Sequence, residues 1–197
     1  MNKIIKYYCK WMINVIAKIW TTLDPLYFKL TRLTYVNQSD FQNVFRVRLY
    51  KYRGPDIILD DGTTIHHKDL LIKIHLHNIR ILNETKQIKG DLAKARYIQK
   101  LVKSSLPGLA QHVLNHSKNN EIKGIIGVTT IRKCIRPLGF SLFEISNPIT
   151  RLVKYITCSI IYLSFHRLSM KTLQSLKHQK PVCLVMSKQK LFNYIKR

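Results

Sequence analysis

Residues 44–52 read VFRVRLYKY and residues 69–78 read DLLIKIHLHN, and these two stretches decide the fold. In both, apolar and polar side chains alternate with a period of two, which is typical of a β-strand with one buried face. The polar faces of the two strands carry these basic side chains: Arg46, Arg48, Lys73, His75 and His77. Two such strands close together in the sequence predict an antiparallel sheet whose apolar face packs against a core.

The chain between these two strands carries turn signals. A Gly-Pro pair at positions 54–55 ends the first strand, and Asp60-Asp61-Gly62 is a typical hairpin turn flanked by short apolar runs. The sequence therefore predicts a three-strand antiparallel meander over residues 43–78.

The rest of the chain predicts helices around this sheet and one further strand–helix–strand unit. In the helical segments, apolar residues recur every three or four positions. The predicted order is N-terminal helices (1–33), the meander (43–78), helices interrupted at Pro107-Gly108 (84–116), a strand–helix–strand unit (121–146), a helix (148–166) and a basic C-terminal tail (169–197). We expect one mixed α/β domain of the α+β type over residues 1–168, with a mainly antiparallel sheet flanked by helices.

The charge balance is the most unusual property of the composition. Lys and Arg number 34 while Asp and Glu number 10, which gives a formal net charge of +24 at pH 7. An AT-rich coding genome would raise the number of lysines, but it does not explain so few acids. The charge predicts an anionic partner, either an anionic membrane surface or an anionic glycan or glycolipid.

Nucleic acid is another anionic partner, and the sequence supports it less. The chain contains no helix-turn-helix or zinc-finger motif. Tyr50 and Tyr52 alternate with Arg46 and Arg48, which indicates stacking and phosphate contacts without base readout. A sequence-nonspecific nucleic-acid binder is therefore an alternative.

Two further features bear on location. The cysteines are scattered at positions 9, 134, 158 and 183 without a C-x-x-C pair, which favours reduced thiols and a cytoplasmic protein. Residues 3–20 predict an amphipathic helix with lysines on one face and Ile and Trp on another. Such a helix either caps the sheet or lies on the inner face of the membrane, so we expect a cytoplasmic protein with peripheral membrane contact.

Residues 107–145 contain a Gly-x-Ala turn that would open a helix, followed by an apolar strand, a short helix and a last strand. With two helices and a meander ahead of it, this order resembles the GCN5-related N-acyltransferases, in which such a turn binds the coenzyme A pyrophosphate. The resemblance implies acetyl-CoA binding at Gly108 and Ala110, and an alternative function as an acyl-CoA-dependent N-acyltransferase. However, that family has Gln or Arg where Ser105 stands, and Pro107 removes a donor N–H.

A second resemblance covers most of the chain. The segments WTTLDPLYFKLTRLTY (20–35), NVFRVRLYKYR (43–53), LLIKIHLHNIR (70–80) and residues 122–148, with IKGIIGVTT, LGF and ISNP, are similar to the YkoP-like family of bacilli. The positions that match its motifs are Asp24, Pro25, Tyr27, Arg46, Arg48, His75, His77, Asn78, Gly124, Thr129, Asn147 and Pro148. In that family the domain occurs alone or attached to polysaccharide deacetylase domains. The resemblance implies a role in bacterial cell-envelope polysaccharide metabolism and association with a deacetylase, and it implies no particular reaction.

Three short motifs resemble the metal motifs of the deacetylases themselves: Asp60-Asp61-Gly62, His112-x-x-x-His116 and Arg136-Pro137-x-Gly139. That family places Thr-Phe before its Asp pair and Ser or Thr after its first His, whereas Ile58-Leu59 and Val113 stand here. Because Asp-Gly is also what a hairpin turn uses, we interpret residues 60–62 as a turn and predict no metal site.

The polar strand faces provide the candidate site. Arg46, Arg48 and Asn78 would form a cationic floor for an anionic sugar or phosphate. His75 and His77 share a strand face, which makes them candidate general bases, including in the acyltransferase alternative. A strand with one solvated face shows the same alternation without any ligand. We expect a basic accessory factor that binds an anionic ligand without a cofactor, and the sequence leaves open whether it is catalytic.

Overall fold

The computed structural model describes residues 33–36, 43–165, 174–175 and 179–195, and the predicted helix 3–20 lies outside them. The strands are β1 (Thr34–Tyr35), β2 (Phe45–Lys51), β3 (Ile57–Ile58), β4 (Thr64–Ile65), β5 (Leu70–Leu76), β6 (Ile122–Thr129), β7 (Ser141–Phe143) and β8 (Val182–Ser187). The helices are α1 (Asn78–Thr85), α2 (Asp91–Leu114), α3 (Arg132–Ile135), α4 (Pro148–Phe165) and α5 (Lys188–Phe192), with a 3-10 turn (Arg136–Leu138) after α3.

Six of these strands form one mixed sheet in the order β1-β2-β5-β6-β8-β7. Neighbouring strands are antiparallel except for β5 and β6, which run parallel because α1 and α2 carry the chain back between them. Hydrophobic clusters lie on both faces of the sheet. The predicted single α/β domain, with a mainly antiparallel sheet flanked by helices, is confirmed.

The predicted three-strand meander is wrong in its pairing. β2 pairs directly with β5 over its whole length, while β3 and β4 form a separate two-stranded hairpin. Leu59 and Ile65 of this hairpin are buried in one cluster with Leu71 of β5, so the hairpin folds onto a face of the sheet instead of extending it. Alternation within a strand shows which side chains share a face, but it does not show which strands pair.

The sheet separates two environments. On one face, Phe45, Val47 and Ile74 belong to a large cluster with Ile98 and Val102 of α2, and we call this the α2 face. The alternate residues of β2 and β5 point to the opposite face. We call it the α4 face, because Lys154 of α4 adds to burial in lowering the pKa of Lys73 and of His75 there.

Helix α2 runs without a break through Pro107, so the predicted interruption and the helix start at Gly108 are wrong. The Asn43 side chain donates to the Ser105 carbonyl at 3.0 Å, and the Val44 N–H donates to Ser105 Oγ at 3.1 Å. A Cβ on Gly108 would lie 2.7 Å from Asn43 Nδ2, so this glycine makes room for the approach. Tertiary bonds and burial thus hold a helix that a proline would otherwise break.

The predicted basic tail is also wrong. β8 is an interior strand between β6 and β7, and Val182, Leu184, Val185 and Met186 in it are buried. A continuous apolar run of this kind is typical of a strand covered on both faces, which period-two alternation cannot reveal. Helix α5 follows at once, with Ser187 Oγ accepting from the Lys190 N–H at its start.

Helix α4 is turned with its aliphatic side outward. Four of its residues keep more than half of their surface exposed and form what we call the outer ridge: Ile149 (73%), Leu152 (60%), Val153 (53%) and Ile156 (52%). The side that lines the protein's cavity is more mixed, and its residues are Lys154, Thr157, Cys158, Ile161 and Tyr162. None of the helices in the described ranges is both long and apolar enough to cross a lipid bilayer.

Candidate anion-binding cavity

The pairing of β2 with β5 gathers basic side chains on the α4 face. The register sets Arg46 opposite His75 and Arg48 opposite Lys73. Side chains at such opposed positions are near neighbours on the same face of a sheet, with Cβ atoms about 5 Å apart. Arg46 is 5% exposed, so this cluster begins inside the protein and not at its surface.

Helix α4 adds Lys154 to this group. The pKa of His75 is lowered to about 3, first by burial and then by Lys73, Lys154, Arg48 and Arg46. His75 is therefore a neutral imidazole at pH 7, surrounded by four positive side chains. We refer to Arg46, Arg48, Lys73 and Lys154 as the cationic cluster.

Burial and neighbouring positive charges also lower the pKa of Lys73. Its pKa is lowered to about 8, first by burial and then by Lys154 and Arg48. Its Nζ lies 4.5 Å from the centre of the Tyr50 ring, a cation–π contact that offsets part of the cost of burial. Neither Lys73 nor Lys154 has an ion-pair partner among the described residues.

A cavity of about 650 Å³ lies against this cluster. Its volume is within the range of about 300–1,000 Å³ that is usual for small-molecule sites. The charged side chains among the described residues that line it are five cations and one carboxylate: Arg46, Lys73, Lys94, Arg132, Lys154 and Asp91. Much of the remaining wall is aliphatic or aromatic, including Ile74, Ile98, Val102 and Phe140.

The structure brings together part of the site predicted from the sequence. Arg46, His75 and Asn78 line the cavity, and Arg48 lies beside it in the cationic cluster. His77 is not among the described lining residues; its backbone N–H bonds to the Val44 carbonyl, and its ring lies 6.1 Å from the Tyr35 ring. Of the two histidines predicted to share a strand face, only His75 therefore lines the cavity.

Of the two roles that the acyltransferase resemblance implies, the pyrophosphate site at Gly108 and Ala110 lacks its expected geometry, and His75 is poorly suited to act as the base. Gly108 and Ala110 are in the middle of α2, where the N–H groups belong to the helix and cannot receive a pyrophosphate. A general base works best with a pKa near the operating pH, so His75 with a pKa of about 3 is a weak base at neutral pH.

Sequence reasoning left out Lys73, Lys154 and Arg132 as site residues. Lys73 was visible on the polar face of its strand. Lys154 stands three and four positions before Thr157 and Cys158, the spacing of one helix face, and all three line the cavity. The signal was weak because this face carries fewer aliphatic side chains than the exposed one, the reverse of an ordinary surface helix.

Asp61, Gly62 and His112, from two of the motifs that resemble a deacetylase metal site, make structural contacts. Asp61 accepts hydrogen bonds from Ser187 Oγ and the Thr63 N–H, and Gly62 has φ +81° in the β3–β4 turn, which confirms the turn interpretation. His112 Nδ1 lies 3.1 Å from the Val36 carbonyl oxygen. Within the described part of the chain, no three His, Cys, Asp or Glu side chains are grouped to hold a metal ion.

Comparison with known proteins identifies relatives of the chain. The YkoP domain family matches residues 13–195. A protein of Bacillus subtilis (strain 168) named "Uncharacterized protein YkoP" is 39% identical over 174 residues, which cover 88% of this chain and 92% of that protein. No solved structure gives a significant match. The match extends through β8 and α5, which places these elements inside the domain. The chain therefore belongs to the YkoP family.

Proposed function

We propose that this protein binds an anionic ligand in the cavity beneath α4 and acts as a membrane-peripheral accessory factor in bacterial cell-envelope polysaccharide metabolism. The observation that carries the first part is the cationic cluster at the wall of a cavity large enough for a small molecule. Arg46 from β2, Lys73 from β5 and Lys154 from α4 approach this cavity from three separate elements.

The energetics favour an anion in that place. Burying a positive side chain costs free energy that a bound negative group recovers. The lowered pKa of Lys73 records this cost, because burial and neighbouring cations disfavour its protonated form, while the same influences keep His75 neutral at pH 7. An anion between Lys73 and Lys154 would form charge-assisted hydrogen bonds with both ammonium groups.

The outer ridge of α4 supports contact with a membrane. Four aliphatic side chains that protrude at helical spacing form a continuous apolar strip, and the helix contains no acidic residue. An apolar strip on a strongly basic protein fits the interface of an anionic bilayer, where lipid tails cover the strip and head groups attract the positive charge. The proposed location is the inner face of the cytoplasmic membrane.

The polysaccharide part of the proposal rests on the family. The resemblance to YkoP-like proteins implies work beside polysaccharide deacetylases, and a basic, membrane-side ligand binder would suit such work. The ligand would then be an anionic glycan, a glycolipid or a precursor of one.

Calorimetric titration with pyrophosphate tests the anion site. We expect Lys73→Met and Lys154→Met each to weaken binding by about tenfold, the factor that corresponds to ~1.4 kcal/mol. Lys100→Met, on the exposed side of α2, is the matched control and should bind like the unmodified protein. Equal losses of affinity in all three variants would mean that pyrophosphate binding depends only on the net charge of the protein. Unchanged affinity in Lys73→Met would overturn the proposed site.

The acyltransferase alternative needs a separate test. Acetyl-CoA that competes with pyrophosphate would show only that both occupy the anion site, because the two ligands share phosphate groups; transfer of the acetyl group to an amine is the result that would favour the acyltransferase alternative. The nucleic-acid alternative loses one of its two stacking residues. Tyr52 is 8% exposed and cannot stack on a base, so only Tyr50 of the pair Tyr50 and Tyr52 is left to do so.

A further inference from the structure

The cavity lies where the central parallel pair of strands separates. The β5–β6 pairing runs from Leu70 opposite Ile122 to Lys73 opposite Ile126 and stops there. Both strands continue for three more residues, β5 paired with β2 and β6 paired with β8. The sheet is thus split between residues 74–76 and residues 127–129.

The cavity reaches both faces of the sheet at this split. Ile74, His75 and Leu76 line it from β5, and residues 127–129 line it from β6. Because side chains alternate along a strand, His75 contributes to the α4 face while Ile74 contributes to the α2 face.

Gly127 borders this split. A Cβ at this position would lie 2.9 Å from Ile74 Cγ1, 3.2 Å from Leu184 Cδ1 and 3.4 Å from the Ile74 carbonyl oxygen, so neighbouring side chains pack closely over this glycine and β5 and β6 remain in contact at the start of the split. A glycine inside a strand often marks a place where another group approaches the backbone closely.

The two ends of the cavity differ in polarity. The α4 side carries Arg46, Lys73 and Lys154. On the α2 side, the first turn of the helix contributes Asp91 and Lys94, and beyond it the wall is formed by apolar side chains such as Ile98 and Val102. A compact polar anion would satisfy the first end and leave the second in contact with water. A ligand with an anionic head and one apolar chain matches both.

We propose, building on the anion site described above, that the ligand is a single-chain amphiphile whose phosphate or carboxylate head lies on the cationic cluster and whose acyl or prenyl chain passes through the split between β5 and β6 to the apolar wall formed by α2. This assigns two functions to the cavity, charge recognition on one face of the sheet and chain recognition on the other. The source of the amphiphile, a soluble acyl compound or a lipid taken from the membrane, is distinguished by the probes below.

The test uses alkyl phosphates of increasing chain length, each below its micelle concentration, with inorganic phosphate as the reference. Affinity should rise steadily with chain length and exceed that of phosphate by at least about tenfold at twelve carbons, because each buried methylene adds to binding. Dodecyl phosphate presented in vesicles tests extraction from a membrane, and the free compound tests uptake from solution. Dodecyl maltoside, which lacks a charge, should bind weakly.

Two variants on α2 locate the chain. Ala95 lines the cavity, so Ala95→Trp should remove the advantage of dodecyl phosphate over phosphate while phosphate still binds. Ala93→Trp, on the exposed side of the same helix, is the matched control and should change neither. If Ala95→Trp fails to fold, the chain-length series on the unmodified protein still shows whether an apolar chain contributes to binding.

The two proposals fail in different ways. If phosphate binds but longer chains add nothing, or if a folded Ala95→Trp keeps the full chain-length gain, the amphiphile inference is overturned and the anion site stands. If neither phosphate nor pyrophosphate binds, the anion site itself is overturned.

Discussion

His75 and Lys73 carry the proposed anion site at the scale of single residues. Both side chains are held in places where a proton is disfavoured, by burial first and by neighbouring cations second. Burial of a charged lysine costs stability, so a Lys73 used only for structure would be better replaced by a neutral side chain, whereas His75 is already neutral at pH 7. The position of Lys73 in the cavity wall therefore supports the proposed anion site.

The charge state of His75 predicts how stability changes with pH. Its pKa is 6.5 in the unfolded chain and about 3 in the fold, so between these values the unfolded state binds more protons. The free energy of unfolding should therefore fall as pH decreases through this window, by on the order of 1–2 kcal/mol between pH 7 and pH 5. Urea unfolding of the protein and of His75→Gln measures it. The variant should lose less stability on acidification, and His67→Gln, an exposed histidine, should behave like the unmodified protein.

Lys73 predicts a proton linked to ligand binding. Its pKa is about 8 without ligand, and a bound anion should raise it, so pyrophosphate binding at pH 8 should take up a fraction of one proton at this lysine. Calorimetry in buffers of different ionisation enthalpy measures the uptake. Lys73→Met should take up fewer protons than the unmodified protein, and identical uptake by both would show that Lys73 does not sense the anion.

Among the elements, α2 shows how packing overrides local sequence preference. The pair Pro107-Gly108 predicts a break, yet Asn43 and Val44 bond to Ser105 and hold the helix through it. Alanine favours a helix over glycine by about 1 kcal/mol in general, but a Cβ on Gly108 would collide with Asn43.

Gly108→Ala is therefore expected to destabilise the fold by about 1 kcal/mol or more in spite of its helix propensity. In an Asn43→Ala background, the same change should be neutral or stabilising, because the colliding amide is gone. Chemical denaturation of the four proteins in this cycle gives the coupling. Additive effects of the two substitutions would contradict the contact.

The elements also show which parts of the fold could be predicted from sequence. β2 and β5 were predictable because each has one polar face, and so were the positions of the polar side chains Arg46 and His75. β8 was not, since a run such as Val182–Ser187 has no alternation and its neighbours are known only from the sheet. Lys154 belongs to the site only because α4 packs over this face of the sheet. The alternation of residues in β5 shows which side chains share that face, but it does not show which helix covers it.

At the scale of the whole molecule, the net charge of +24 and the outer ridge of α4 together predict binding to anionic vesicles. The double variant Leu152→Ser/Ile156→Ser should lower vesicle affinity by about tenfold, since two aliphatic side chains no longer enter the interface. Leu92→Ser/Leu114→Ser, exposed aliphatic residues of α2, is the control and should have little effect.

Co-sedimentation with vesicles at low and physiological salt measures both variants. Binding of the unmodified protein should weaken as salt rises, because the charge attraction is screened. Equal loss in the two double variants would mean that α4 is not the contact surface. Self-association of the protein that disappears with Leu152→Ser/Ile156→Ser would mean that a second copy, and not a membrane, covers the outer ridge.

The location of a bound anion is the most direct test of the whole account. Crystals soaked in tungstate, a heavy analogue of phosphate, would give an anomalous-difference map that marks the anion without ambiguity. We predict the strongest peak in the cavity, within hydrogen-bonding distance of the Lys73 and Lys154 ammonium groups. Tungstate found only on exposed surface lysines, with no peak in the cavity, would contradict the central claim.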